Sequence, residues 1–448
     1  MKSAFIWPVA GQFTSRSSLI VGSVACIVIP AFTARSQENA RTLRLSDVYV
    51  AVAERNPRAA AARFLASAAE ARISPAAALP DPQVQLGFMN YALPAVRPMD
   101  PLGMVQVQVM QMVPTGGKLP LSGRIARHQA TAERERAGDV AWEQRTRAAM
   151  AFYELFQAEQ GVAIATETRQ LVQSVARIAQ TMYEVGEGNQ ADALRAQVEL
   201  ARMTEEIARM EAMRSSAAAK LNALSDRPFE SEVPKAARPI FPEALPIIDS
   251  VLSRAMRDRP MIRAGQQEVE AAAVMSVRAR RELIPDLVLG VQYGQRADAM
   301  GTERMGSLMI GASVPLFARR RQLKWRDEAD AMRAMAEADL TWMKADTRGR
   351  VGEVMAMLAR SRRLAELYAG TVLPQAEAAV TSALSAYRVG RVDFMTVLDN
   401  RMTVNRYRME LLGLQAEEGK AWAELEMLAG RELIDSRSID TTTKGEGG

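Results

Sequence analysis

The sequence predicts a mainly α chain with a small β part: long α-helical hairpins, four membrane-length β-strands and an internal two-fold tandem repeat. Three observations carry this. Ala, Arg, Glu, Met and Leu dominate most of the 448 residues while aromatics supply only 5%, the composition of long, closely packed helices. Four alternating segments of about ten residues interrupt the helical pattern in two pairs. Finally, "YEVGEGNQ" at 183–190 and "YRVGRVDF" at 387–394 set the same Tyr, Val and Gly into both halves of the chain.

The elements follow from the N-terminus. Lys2 and Arg16 precede the apolar run "LIVGSVACIVIPAF" at 19–32, which is too short to span a bilayer as a helix and is followed by small residues. Residues 1–36 therefore read as a signal peptide, with an uncleaved anchor as the alternative. The only cysteine, Cys26, lies inside this run, so a cleaved chain has no thiol chemistry. "SVAC" also has the small residues that precede a lipidated cysteine, although apolar "IVIPAF" follows where polar residues are usual. Formal net charge is +5, and residues 1–36 carry Lys2, Arg16 and Arg35 with no acid, so the mature chain is close to neutral. With no basic block interleaved with aromatics, nucleic acid is not an expected partner.

A helix is expected over 45–79. The strand pair "QVQLGFMNY" (83–91) and "GMVQVQVMQMV" (103–113) follows, with Val105, Val107 and Val109 alternating against Gln106 and Gln108. From Leu119 to Tyr183 almost no breaker occurs, giving one helix of roughly 65 residues, near 100 Å. The chain returns as helix over 190–224, meets the five-proline stretch "SDRPFESEVPKAARPIFPEALP" (225–246), and continues as helix over 247–283. The second half then repeats the scheme: strands "LVLGVQYGQ" (287–295) and "GSLMIGASV" (306–314), a long helix over 319–387, and a return over 394–429. Pro374, inside the second long helix, is expected to kink it or end a hydrogen-bond run.

One long helix out is thus matched by two half-length helices back, with a proline-rich belt at the joint. The divisions are a first repeat at 37–240 (β-hairpin 83–113, tip near 186), a second at 241–430 (β-hairpin 287–314, tip near 390) and a tail at 431–448. Gly186 and Gly390 fall where each helical hairpin reverses, a turn that favours positive φ. Four strands with one apolar face cannot close a barrel, and open edges are not tolerated in lipid. Three copies would pool twelve strands, an even number suited to an outer-membrane barrel with its polar face to water.

The stretch "VLPQAEAAVTSALSAYRVGRVDFMTVLDNRMTVNRYRMELL" (372–412) resembles the second helical hairpin of the outer-membrane efflux proteins typified by TolC, and the resemblance extends over residues 43–430. It implies a homotrimer in the outer membrane of a Gram-negative bacterium, with a twelve-stranded β-barrel and a periplasmic α-barrel, acting as the exit duct of a tripartite pump. It further implies that the tips, at Tyr183, Val185, Gly186, Tyr387, Val389 and Gly390, contact a periplasmic adaptor. The inner-membrane pump would be of the resistance-nodulation-division class. Asp399 matches an acidic position that rings the family's closed aperture, whereas Thr396 stands where some members have a second Asp. Asp399 read without the resemblance is a solvated helix residue paired with Arg401 or Arg406.

Chemical alternatives are poorly supported. "TGGK" at 115–118 lacks the first glycine of a phosphate loop, since Met112 stands there. His128 is the only histidine and is expected to be exposed on a helix, so neither a His metal cluster nor a triad can form. Met89, Met99, Met104, Met110 and Met112 crowd the first hairpin, which admits a soft-metal reading beside the ordinary one of filling apolar gaps. Paired acids on the helices read as solvated faces. The expectation is a passive conduit without cofactor or catalysis, exporting metal ions or small drugs. The rival is an elongated coiled-coil scaffold or adaptor in the periplasm.

Overall fold

A computed structural model of the protein describes residues 42–433 apart from 95, 100–102 and 299–300. The apolar run with Cys26 and nearly all of the tail at 431–448 lie outside the described residues.

The helix expected over 45–79 is three: α1 (Leu45–Arg55), α2 (Pro57–Ala71) and α3 (Ile73–Ala77). Pro57 has no N–H to continue α1 and forces the preceding residue out of the helical region, so Asn56 turns extended (ψ 118°) and caps α2 by accepting the Ala59 N–H at 2.9 Å. The same event divides the helix expected over 247–283 into α6 (Ile248–Asp258) and α7 (Pro260–Arg281), with Arg259 extended ahead of Pro260. Both corrections have one cause, an X-Pro step inside an otherwise helical pattern.

The first long helix, α4 (Lys118–Glu184), runs 67 residues and is followed by α5 (Gln190–Leu224). Their seam repeats every seventh residue: Ala151, Ala158, Ala165, Val172 and Ala179 are buried on α4, and Ala196, Met203, Met210 and Ala217 on α5. That period keeps one stripe facing its partner when two helices coil around each other, and small residues let the axes approach closely. A wider core forms where α1 and α10 (Phe394–Ala429) join them, around Phe152, Tyr153, Leu155, Phe156, Leu412 and Ala416.

The second long helix is interrupted as Pro374 requires. After α8 (Gln322–Leu367) the chain makes a π-helical turn, Tyr368–Val372, and resumes as α9 (Leu373–Arg388) with Pro374 in its first turn. The widened turn accommodates the missing donor and the ring without ending the helix direction. The proline-rich belt is pinned from several sides. Leu43 pairs in parallel with Ala236, Asn222 donates to the carbonyls of Phe229 and Ser231, Glu159 accepts the Ala236 N–H at 2.8 Å, and Arg362 donates to the carbonyls of Pro242 and Glu243.

The strands form one antiparallel sheet in the order β1 (Gln83–Met89), β4 (Met104–Val113), β5 (Leu287–Asp298), β6 (Gly301–Ala312). The second pair is longer than its expected segments. A short ribbon of β2 (Tyr91–Ala92) and β3 (Arg97–Pro98) extends the first hairpin beyond β1 and β4. β1 and β6 are edge strands within the chain, so the sheet is open.

Candidate functional site

The two helix reversals share one backbone design. At the first, Gly186 adopts φ 78°, its N–H donates to the Tyr183 carbonyl at 3.0 Å, and the Glu187 N–H reaches back to the Met182 carbonyl at 2.9 Å. At the second, Gly390 adopts φ 69°, donating to the Tyr387 carbonyl at 3.0 Å, while the Arg391 N–H reaches the Ala386 carbonyl at 3.0 Å. This is a left-handed C-terminal cap, in which glycine avoids the Cβ penalty and the last carbonyls of the helix find donors. Val185 and Val389 are left 63% and 68% exposed at the apices.

The tyrosines do not behave alike. Tyr183 is exposed, but Tyr387 is half-buried, set edge-on to Phe394 at a centroid distance of 6.1 Å; burial and then the nearby Asp192 push its phenol upward. Phe394 and Leu398 of α10 pack with Val172 and Ala179 of α4 and Ala196 of α5, so one core holds both hairpins just behind their tips. Asp393 caps α10 by accepting the Thr396 N–H at 3.0 Å, and the Thr396 hydroxyl, followed by that N–H, holds its carboxyl below the usual range. Thr396, conspicuous in the sequence for not being acidic, is therefore part of a cap.

Asp399 is exposed on α10 and, among the described residues, makes no ion pair with Arg401 or Arg406. Farther along, Arg408 joins three helices, meeting Glu167 of α4 at 3.2 Å and Glu377 of α9 at 2.7 Å. Arg401 is partly buried beside it, and that burial, reinforced by the Arg408 charge, lowers its pKa. This arginine junction was not anticipated, because its partners are remote in sequence and α10 shows no spacing that announces them.

At the other end, the register sorts the sheet into two faces. Val84 lies opposite Val109, Leu86 opposite Val107 and Phe88 opposite Val105; Val109 then faces Val291, which faces Leu308. All lie on one face, which is apolar and exposed at Val84, Leu86, Phe88, Val291, Leu308 and Ile310. The other face alternates Gln with Gly and Met: Gln108 opposes Gln292, and Met110 opposes Gly290, which opposes Met309. Met89, Met104, Met110 and Met112 thus belong to the glutamine-bearing face, with Met99 exposed in the connecting loop. Among the described residues no group of three His, Cys, Asp or Glu is placed to hold a metal ion.

"TGGK" is a junction between the two hairpins. Lys118 is buried, with Nζ 2.8 Å from Asp286 Oδ1 and 3.4 Å from Glu282 Oε2, and the Thr115 N–H donates to Asp286 at 3.0 Å. His128 is half-buried rather than exposed, its Nδ1 2.9 Å from Gln267 Oε1, because α7 packs along that part of α4. The acids of α10 depart most from expectation. Glu418, Glu424 and Glu426 are buried, with Glu418 paired to Arg362, Glu424 to Arg350 at 2.6 Å and Glu426 near Arg145 at 3.5 Å. Their partners sit on other helices, so local i,i+4 spacing could not reveal them.

Among the described residues no helix is long and apolar enough to cross a membrane. Fold and faces define a class: a chain that contributes an open, membrane-length β-wall and carries long coiled helical hairpins away from it. The family model described as outer membrane efflux protein matches residues 251–431. The cobalt-zinc-cadmium resistance protein CzcC of Cupriavidus metallidurans is 25% identical over 339 residues, covering 70% of this chain and 74% of that one. Among solved structures, CusC superposes with a TM-score of 0.74 at 16% identity, covering 87% of this chain and 92% of that one. The outer membrane channel CmeC of Campylobacter jejuni gives 0.74 at 12%, covering 88% of each chain. The open-state MtrE channel of Neisseria gonorrhoeae gives 0.73 at 16%, covering 87% and 89%. The second half of the chain, from residue 251 to 431, is thus similar in sequence to outer membrane efflux proteins, and the fold of nearly the whole chain is that of outer membrane channels.

Proposed function

We propose that the protein is the outer-membrane exit duct of a tripartite efflux system, acting as a homotrimer and passing cargo without chemistry of its own. The observation that carries the reading is the open four-stranded sheet, apolar on one face and glutamine-rich on the other, with both edges unpaired within the chain. Such edges require partners in lipid, and three copies would close twelve strands with the glutamine face to water. Exposed Phe64 and Leu65 on α2 and Met332, Met335 and Trp342 on α8 supply helix faces for the neighbouring copies.

In this reading 37–240 and 241–430 are tandem repeats, and the tips at Gly186 and Gly390 present Val185 and Val389 to a periplasmic adaptor. The adaptor links the duct to an inner-membrane pump of the resistance-nodulation-division class. Asp399 contributes a three-fold acidic ring at the periplasmic mouth that favours cations. Cargo of metal ions or small drugs fits the likeness to a cobalt-zinc-cadmium resistance protein. An elongated periplasmic scaffold accounts for the helices alone and leaves the family match and the amphipathic sheet without a role.

The decisive test is the protein mass of the membrane-extracted species by light scattering with detergent subtracted. A trimer is expected. A monomer found in the soluble fraction would overturn the duct.

A further inference from the structure

Where β6 leaves the sheet, a run of exposed apolar residues passes directly into a cluster of arginines. Along β6 the lipid-type face shows Leu308 and Ile310, both strongly exposed, and the apolar run continues in sequence through exposed Val314 to Leu316 and Phe317, 82% and 76% exposed. Immediately after it come Arg319, Arg320 and Arg321, all exposed. Arg321 stacks on the Trp325 ring, its guanidinium carbon 4.9 Å from the centroid, one turn into α8.

The nearby acids are largely committed elsewhere. Asp327 takes Lys324 and Arg326, and Asp330 takes Arg280. Among the described residues no carboxylate meets Arg319, Arg320 or Arg321. The equivalent exit from β4 is built differently: its lysine, Lys118, is buried and paired within a tight turn. The arginine cluster is therefore no general requirement of passing from strand to helix.

We infer that residues 314–325 form an anchor for anionic phospholipid headgroups at the periplasmic surface of the outer membrane. Three features select this occupant. The apolar face of the sheet is continuous in sequence with Val314, Leu316 and Phe317, so these side chains enter at the acyl boundary. An arginine-stacked tryptophan suits the interfacial zone, apolar at one end and wet at the other. Three guanidiniums that meet no carboxylate among the described residues match phosphate oxygens by paired hydrogen bonds and by charge. Inorganic phosphate shares the headgroup's chemistry but offers nothing to the apolar residues.

The inference rests on the outer-membrane placement of the duct, and its test keeps the two apart. The purified full chain, in detergent micelles doped with equal phosphatidylglycerol and phosphatidylcholine, is examined by native mass spectrometry for retained lipid, while light scattering follows its mass. The wild type is expected to retain phosphatidylglycerol preferentially, and raised salt to weaken that preference. The triple variant R319Q/R320Q/R321Q should lose it about tenfold or more, while the lysine triple keeps most of it. Equal retention of both lipids by the wild type, or an undiminished preference in the glutamine variant, overturns the anchor. So does full competition by inorganic phosphate, which would mark a site for a soluble anion. If the glutamine variant falls to monomers, the arginines serve a second copy of the chain instead. A wild type that is itself monomeric and soluble refutes the duct rather than the lipid contact alone.

Discussion

Lys118 Nζ lies 2.8 Å from Asp286 Oδ1, joining the first residue of the longest helix to the turn that opens the second strand pair. The lysine side chain is only 7% exposed and also donates to the Ile284 carbonyl at 3.0 Å, so its charge is nearly enclosed by acceptors. Removing one member of such a cluster leaves the others desolvated without a counter-charge. Lys118→Ala is expected to destabilise the protein by about 3 kcal/mol. Lys118→Ala combined with Asp286→Asn should recover part of the loss, as thermal melting of the detergent-solubilised protein would register.

Substitutions at the tips separate folding from the proposed adaptor contact. Gly390 has a left-handed φ of 69° and donates its N–H to Tyr387, and a proline there could satisfy neither condition. Gly390→Pro should abolish export while the extracted species keeps its trimeric mass. Gly186→Ala and Gly390→Ala, each straining the backbone by about 1–2 kcal/mol, should have milder effects of the same kind. Normal export by the proline variant, measured as cargo retained in cells lacking other ducts, would remove the tips from the adaptor interface.

Asp139 gives a pH dependence of definite sign. Burial raises its carboxyl above the usual range, partly offset by Arg259, 4.0 Å away, and by the Met261 N–H. Below the ordinary carboxylate value the group is neutral in both folded and unfolded chains. As pH rises from there through its raised value, the unfolded chain releases the proton first, so folding stability falls. Asp139→Asn should remove that falling limb from a plot of melting temperature against pH, and an unchanged slope would contradict the assignment.

Asp399 is exposed and has no ion-pair partner among the described residues, as the proposed acidic ring requires. Asp399→Ala is expected to reduce the cation preference of single channels in planar bilayers. Unaltered conductance and selectivity would return Asp399 to an ordinary solvated residue.

Gly419 faces Tyr153 so closely that an added Cβ would lie 2.3 Å from the ring. Gly419→Ala should destabilise the core between α4 and α10 by about 1–3 kcal/mol, because Tyr153 is buried and has little room to retreat. A melting temperature equal to the wild type would show that the two helices can separate freely there.

By itself the sequence determined the periodic features of this protein. Uninterrupted helical runs prescribe α4 and α5; alternation of Val105, Val107 and Val109 with Gln106 and Gln108 prescribes a two-faced strand; Gly186 and Gly390 prescribe the reversals. Each depends on neighbours along the chain, where backbone geometry sets the rule. Pro57 and Pro260 belong in the same group, since the helix breaks they impose are local even though the periodicity around them obscured their effect. Tertiary structure alone decided which charges meet distant partners and which of them are buried. Lys118 meets Asp286, Arg362 meets Glu418 and Arg408 meets Glu167 and Glu377 only after elements remote in sequence are packed side by side. A carboxylate on a helix looks the same in sequence whether it faces water or a distant arginine; the energy that distinguishes the two comes from desolvation and from a partner that the fold brings near.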